Sequence, residues 1–211
     1  MRPPFRLSGV RSVVLLGAHP DDIEIGAGGL LLALAGIAGL RVRYVLLTGT
    51  PDRRAEARAA ATAFLPTARI DFALHDLPDG RLPAHWAGAK RIVDAAATGG
   101  ADLVLAPGPD DAHQDHRLLG ELAPTAFRDT TVLHYEIPKW DGDLGRRNVY
   151  LGLSADRARR KVDLLNNYFP SQKDRSWWDD EIFLGLARLR GMECRTRYAE
   201  AYRCDKALVE M

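Results

Sequence analysis

Two short stretches of the sequence concentrate imidazoles and carboxylates. Ala18-His-Pro-Asp-Asp-Ile-Glu24 carries His19, Asp21, Asp22 and Glu24. Pro109-Asp-Asp-Ala-His-Gln-Asp-His116 carries His113, Asp115 and His116. Together they hold three of the six histidines in the chain. Two histidines and one carboxylate make a three-point site for a divalent metal and leave positions open for water and substrate. Such a metal lowers the pKa of bound water to about 7, which gives a nucleophile at neutral pH. Hydrolysis of an amide also needs a base for that water and an acid for the departing nitrogen. A spare aspartate beside one ligand and a spare histidine beside another could supply both. Either stretch alone reads equally well as turn and capping chemistry, because aspartate after proline is common in turns and loop carboxylates often cap helices. Their joint placement is what carries weight.

That placement follows from the elements around them. Short apolar runs alternate with helical patterns, the signature of an α/β domain with a largely parallel sheet. Ser12 to Gly17 reads as a buried first strand, and the Ala/Leu-rich stretch to about Gly39 as its crossover helix. Val42 to Leu47 and Arg69 to Leu74 read as the second and third strands, with helices over Arg53 to Leu65 and Pro83 to Ala97. Asp102 to Ala106 is the fourth strand. Beyond Thr130 the pattern loosens. Strands are expected over Val132 to Ile137, Asn148 to Leu151 and Tyr198 to Cys204. Helices are expected from the N-cap Ser154 to about Tyr168, stopped by Pro170, and over Asp180 to Arg190. The expectation is one domain over residues 1–211, a Rossmann-like three-layer sandwich with a mostly parallel central sheet. In such sheets ligands bind beyond the carboxyl ends of the strands, and strands one and four are neighbours in one of the common orders. The two chemistry-bearing loops follow those two strands.

Bulk composition narrows the partners. Lys and Arg number 29 against 28 Asp and Glu, a net charge of +1, which gives no electrostatic reason to expect nucleic acid or an anionic membrane. The uncharged stretch from Ile25 to Leu40 contains five glycines and falls short of the about 17–25 apolar residues of a membrane span. Val13 to Leu16 is too short for a signal-peptide core. The expected setting is the cytoplasm, without stable membrane insertion. Cys194 and Cys204 are too few for a secreted disulfide scaffold and read as free thiols. A small molecule is the expected partner.

Residues 18–29, Ala-His-Pro-Asp-Asp-Ile-Glu-Ile-Gly-Ala-Gly-Gly, resemble the signature of the LmbE/PIG-L family of zinc-dependent N-acetylglucosaminyl de-N-acetylases. Asp111 to Arg117 resembles its second metal motif. Weaker collinear matches are Arg53-Arg-Ala-Glu56, Asp79-Gly-Arg-Leu82, Tyr135-Glu136, Lys161 and Ser171-Gln172. The resemblance implies that His19, Asp22 and His116 hold the metal, with Asp21 as general base toward the attacking water. It implies that His113 stabilises the tetrahedral oxyanion as a cation or protonates the leaving amine, and that Asp115 orients a neighbouring imidazole. Arg53 and Asp79 are the implied substrate contacts. The implied reaction removes an acetyl group from an amino-sugar (GlcNAc-type) conjugate. Zn2+ suits the ligand set, and Fe2+ stays open as an alternative. The chain is short for the family, so a loop over a large substrate could come from a neighbouring subunit in a homo-oligomer. An excess of Arg over Lys and abundant Ala look like a GC-rich bacterial genome, consistent with natural-product or thiol biosynthesis. Two alternatives remain: a metallohydrolase for a different amide or ester, and a non-catalytic metal-binding homologue.

Other motifs lead elsewhere. Gly26-Ala-Gly-Gly29 lacks the dinucleotide fingerprint, and the carboxylates before it would repel a pyrophosphate. Those glycines are expected to allow close helix–sheet packing. Gly152-Leu-Ser-Ala-Asp156 is one residue short of a nucleophile elbow and reads as a helix N-cap. Trp140, Trp177 and Trp178 suit a substrate wall, a subunit contact or the core. His75, His85 and His134 show no paired spacing and read as structural, with His75 near the Asp79 loop.

Overall fold

A computed structural model describes residues 9–208. Strand β1 (Ser12–Gly17) is almost wholly buried, and its alternate side chains enter two cores. Val13 and Leu15 point into one, Val14 and Leu16 into the other. Burial on both faces is what a near-continuous apolar strand needs in a parallel sheet.

β1 pairs in parallel with β2 (Arg41–Thr48) on one side and β4 (Leu103–Pro107) on the other. The sheet continues outward through β3 (Arg69–Leu77) at one edge and through β5 (Thr131–Tyr135) toward the other. Beyond β5 the direction reverses. β7 (Tyr198–Arg203) runs antiparallel to β5 and to the edge strand β6 (Val149–Leu153). The order β3-β2-β1-β4-β5-β7-β6 makes seven strands, mostly parallel, and places β1 beside β4 as expected.

Helices α1 (Asp22–Leu34), α2 (Pro51–Phe64), α5 (Ala155–Tyr168) and α6 (Asp180–Cys194) contribute to the core on one face. α3 (Trp86–Ala97) and α4 (Gln114–Ala126) contribute to the core on the other. The result is the three-layer arrangement expected. α4 falls where the sequence reading assigned no helix. Gly120 and Pro124 lie inside it and weaken its intrinsic propensity. The buried residues Leu118, Leu119, Leu122 and Ala123 supply the packing that overrides them. Gly120 is also required there, because a Cβ would come within 2.6–2.7 Å of the Pro107–Pro109 backbone.

The glycines of α1 serve close packing. A Cβ on Gly26 would lie 2.3 Å from the Tyr135 ring, and one on Gly29 would lie 2.8 Å from Leu153. Helix α1 is further clasped by a buried carboxylate. Glu200 accepts from the backbone N–H of Gly29 at 2.6 Å and Leu30 at 2.8 Å, and it pairs with Lys161 at 2.7 Å. Lys161 also donates to the carbonyl of Ile25. Tyr135 donates its hydroxyl to the carbonyl of Leu16 at 2.7 Å, tying β5 to the end of β1. The Tyr135 and Lys161 matches are thus structural anchors beneath the two loops. Both cysteines are free. No helix among the described residues is long and apolar enough to cross a membrane.

Candidate metal centre

Because β1 and β4 are parallel neighbours, the chain leaves both at the same edge, and the two polar loops meet there. His19 Nδ1 lies 3.0 Å from His116 Nε2. Asp22 Oδ1 is 3.2 Å from His116 Nε2, and Asp22 Oδ2 is 3.5 Å from His19 Nδ1. Asp22 is the first residue of α1, and its Oδ2 also accepts from the backbone N–H of His19 at 2.8 Å.

The outer nitrogens of both imidazoles face carboxylates. His116 Nδ1 is 3.0 Å from Asp111 Oδ2. His19 Nε2 is 3.2 Å from Asp115 Oδ2 and 3.1 Å from Asp79 Oδ1. Protons on these outer nitrogens leave the lone pairs of His19 Nδ1 and His116 Nε2 aimed at one point with the Asp22 carboxylate. Ligand atoms at tetrahedral zinc distances stand about 3.3 Å from one another, close to the three separations here. The donor set therefore fits a divalent cation. Asp115 is fixed in turn by the backbone N–H groups of Gly80 and Leu82, at 2.7 and 2.9 Å. His19, Asp79 and Asp115 also bring ligand atoms within 4.8 Å of one another, but the two carboxylates face the nitrogen of His19 that points away from His116. They serve better as its outer support than as a second ligand set.

The electrostatics favour positive charge at the centre. Burial opposes the charge of His19, but Asp22 and the hydrogen-bonded carboxylates outweigh it and raise its pKa well above the usual value. His116 is raised in the same way to about 9. Burial pushes Asp22 up, but the two imidazoles hold it well below the ordinary carboxylate range.

Asp21 stands apart from the donor triangle. It takes a left-handed backbone with φ 121° ahead of α1, a strained conformation of the kind that accumulates at functional sites. Its Oδ2 accepts from Arg53 Nη2 at 2.9 Å. Burial pushes its pKa up to about 7, against the pull of Arg53 and with the help of Asp22. Arg53 also donates to the carbonyl of Pro20, so it is engaged with the aspartate loop.

His113 caps α4, with its Nδ1 accepting from the N–H of Asp115 at 3.2 Å. That bond puts the proton of the neutral ring on Nε2. Its ring lies 4.9 Å from that of His19 and 4.6 Å from that of His116. Burial and the two neighbouring imidazoles lower its pKa. Asp79 is largely exposed at the rim. All eight residues singled out from the sequence thus gather at this end of the sheet.

Sequence reasoning assigned no role to Asp111, Lys139 or Glu56. Lys139 Nζ is 2.9 Å from Asp111 Oδ1. Glu56 lies 3.6 Å from Arg53 Nε and accepts from the backbone and hydroxyl of Ser171. The general need of a ligating histidine for an outer carboxylate could have picked out Asp111, which lies inside the second motif. The other histidines lie outside the cluster. His134 is buried against the carbonyl of Pro107, His75 is half-buried and His85 is exposed.

The family model described as PIG-L, GlcNAc-PI de-N-acetylase, matches residues 14–127, a span that includes both loops. A diacetylchitobiose deacetylase from Thermococcus kodakarensis is 34% identical over 130 residues, which cover 54% of this chain and 48% of that protein. The chain thus spans about half the length of this curated relative. Among solved structures, N,N'-diacetylchitobiose deacetylase from Pyrococcus horikoshii superposes with a TM-score of 0.76 at 21% identity, over 95% of this chain and 87% of that one. The 4-carboxy-2-hydroxymuconate hydratase of Pseudomonas putida does so with a TM-score of 0.75 at 20% identity, over 95% and 98%. These likenesses establish the fold, which by itself does not fix the reaction.

Proposed function

The chain belongs to the PIG-L family, and from that premise we propose that it is a zinc-dependent hydrolase that removes the acetyl group from the nitrogen of an amino-sugar conjugate. The observation that carries this reading is the convergence of His19 Nδ1, His116 Nε2 and Asp22 beside a buried carboxylate, Asp21, that is not needed as a ligand. A purely structural metal site has no use for that extra acid. The deacetylase relative supports the acyl chemistry and the sugar.

His19, Asp22 and His116 would hold the cation. When bound, a divalent cation polarises a carbonyl and acidifies water. Asp21 is the base. Arg53 occupies its Oδ2, so Oδ1 takes the proton from the attacking water. A carboxylate raised toward neutrality is well matched to that transfer and to returning the proton to the departing amine. His113 meets the developing oxyanion with its Nε2–H. The N–H of Asp115 on Nδ1 would leave that Nε2–H free to donate. Asp115 and Asp111 keep the two ligating imidazoles in the required tautomers. Asp79, exposed at the rim with Oδ1 on His19, would accept from substrate hydroxyls through Oδ2. The two unpaired cysteines suit a reducing, cytoplasmic setting.

The decisive experiment measures primary amine released from a panel of N-acetylglucosamine conjugates. It compares zinc-loaded, iron(II)-loaded and chelated protein with the Asp21→Asn variant. Metal-dependent release that the variant loses is the expected result. Absence of release from every conjugate by metal-loaded protein would overturn the substrate assignment and favour a different acyl compound.

A further inference from the structure

The aromatic residues outside the metal centre form a graded series from core to surface. Trp178 is buried, edge-on to Phe183 at 5.3 Å, and its indole N–H donates to Asn166 at 2.9 Å. Trp177 packs on Trp178 at 5.5 Å and is partly covered. Trp140 meets Trp177 edge-on at 6.1 Å and is 69% exposed. An exposed indole held by a stack that reaches the core is a rigid platform, unlike an isolated surface tryptophan.

Two chains of contact tie the loops that carry this platform to the residues of the candidate site. On one side, Lys139, the neighbour of Trp140, pairs with Asp111, which holds His116. The same loop is fixed by Asp143, which accepts from the N–H of Ala112 at 2.7 Å and from Lys139 at 2.9 Å. On the other side, the segment that carries Trp177 begins at Ser171, which donates to Glu56, and Glu56 faces Arg53, the partner of Asp21. One loop is anchored to the ligand side of the site and the other to its base side, and they meet at Trp140 and Trp177.

Resting on the deacetylase reading above, we infer that the Trp140–Trp177 step is a sugar subsite that takes the pyranose ring next to the reacting amino sugar. The apolar face of a pyranose covers an indole, and its hydroxyls need acceptors at the ring edge. Asp141, the next residue on the same turn and exposed, carries a carboxylate acceptor in the same loop. An exposed ring backed by one further indole suits a single sugar better than the broad apolar patch of a protein partner.

The test is binding of N,N'-diacetylchitobiose and of N-acetylglucosamine to zinc-loaded protein by titration calorimetry. Wild type is compared with Trp140→Ala and with Trp86→Ala, which removes an exposed tryptophan on α3. Wild type and Trp86→Ala should prefer the disaccharide by about tenfold, the value of one good aromatic contact, and Trp140→Ala should lose that preference. A preference unchanged in Trp140→Ala, or absent from wild type, overturns the subsite. Amine release from the same disaccharide is read in parallel. Binding with the Trp140-dependent preference but without release would leave the subsite standing and remove the deacetylase assignment. Release with a preference independent of Trp140 would do the reverse.

Discussion

Asp111 holds the Nδ1 of His116 at 3.0 Å, the ring nitrogen that faces away from Asp22. The pair fixes which nitrogen of His116 offers a lone pair to the centre. Outer carboxylates of this kind raise ligand basicity, and their loss costs about 10–100-fold in metal affinity. Asp111→Ala is therefore expected to bind zinc about 10–100-fold more weakly, measured by competition with a chromophoric chelator. Undiminished affinity would reduce Asp111 to a partner of Lys139.

Asp21 and Asp22 are adjacent, yet they separate into different tasks. Asp22 belongs to the donor triangle, whereas Asp21 faces Arg53. Asp21→Asn is the informative change, because asparagine tolerates a left-handed backbone better than most residues. The variant should bind zinc in the same ratio as wild type while its rate falls by about 10²–10⁴. His19→Ala and Asp22→Ala should lose the metal itself. Metal analysis beside amine-release kinetics separates these outcomes, and a wild-type rate in Asp21→Asn would remove the base assignment.

The sequence was most informative where one physical demand acts alone. Ser12 to Gly17 is a strand because an apolar run in a parallel sheet is buried on both faces, and its observed bounds coincide with those expected. Ser154 caps α5 with its side chain accepting from the N–H of Arg157. His19 and His116 stood out because few roles other than ligation call for two imidazoles beside a carboxylate, and their rings do come together, with Nδ1 and Nε2 3.0 Å apart. Opposed demands were harder to read. α4 contains a glycine and a proline and forms through burial that no local propensity reports. The arginines holding Glu136 come from positions 147 and 190, distant in sequence, and no spacing rule joins them.

Glu136 is buried and lies 2.7 Å from Arg190 Nη2 and 3.2 Å from Arg147 Nε. Truncating one partner of a buried pair leaves a charge with less compensation. Arg190→Ala should lower stability by about 3 kcal/mol, read from urea unfolding. Arg188, exposed on the same helix, provides the control, and its alanine variant should shift stability by less than about 0.5 kcal/mol. Equal effects at both positions would mean that the Glu136 cluster adds nothing specific.

His134 should impose a pH dependence on folding that the metal centre does not share. Its ring is 1% exposed on β5 and donates from Nδ1 to the carbonyl of Pro107 at 2.8 Å. Burial lowers its pKa, and the Pro107 carbonyl and Asp205 only partly offset this. The unfolded chain therefore binds a proton at a higher pH than the folded one. The stability from the neutral ring is fully present above the unfolded value of about 6.5. It is lost as pH falls through the lower folded value. His19 and His116 have raised pKa values and act in the opposite sense, so the whole-protein curve mixes the two. A comparison with His134→Asn isolates the contribution. The unfolding free energy of wild type relative to the variant should fall steadily between pH 7.5 and pH 5, measured by urea titration at each pH, with the range set about the unperturbed histidine value of about 6.5. A constant difference across that range would show that His134 does not couple protonation to folding.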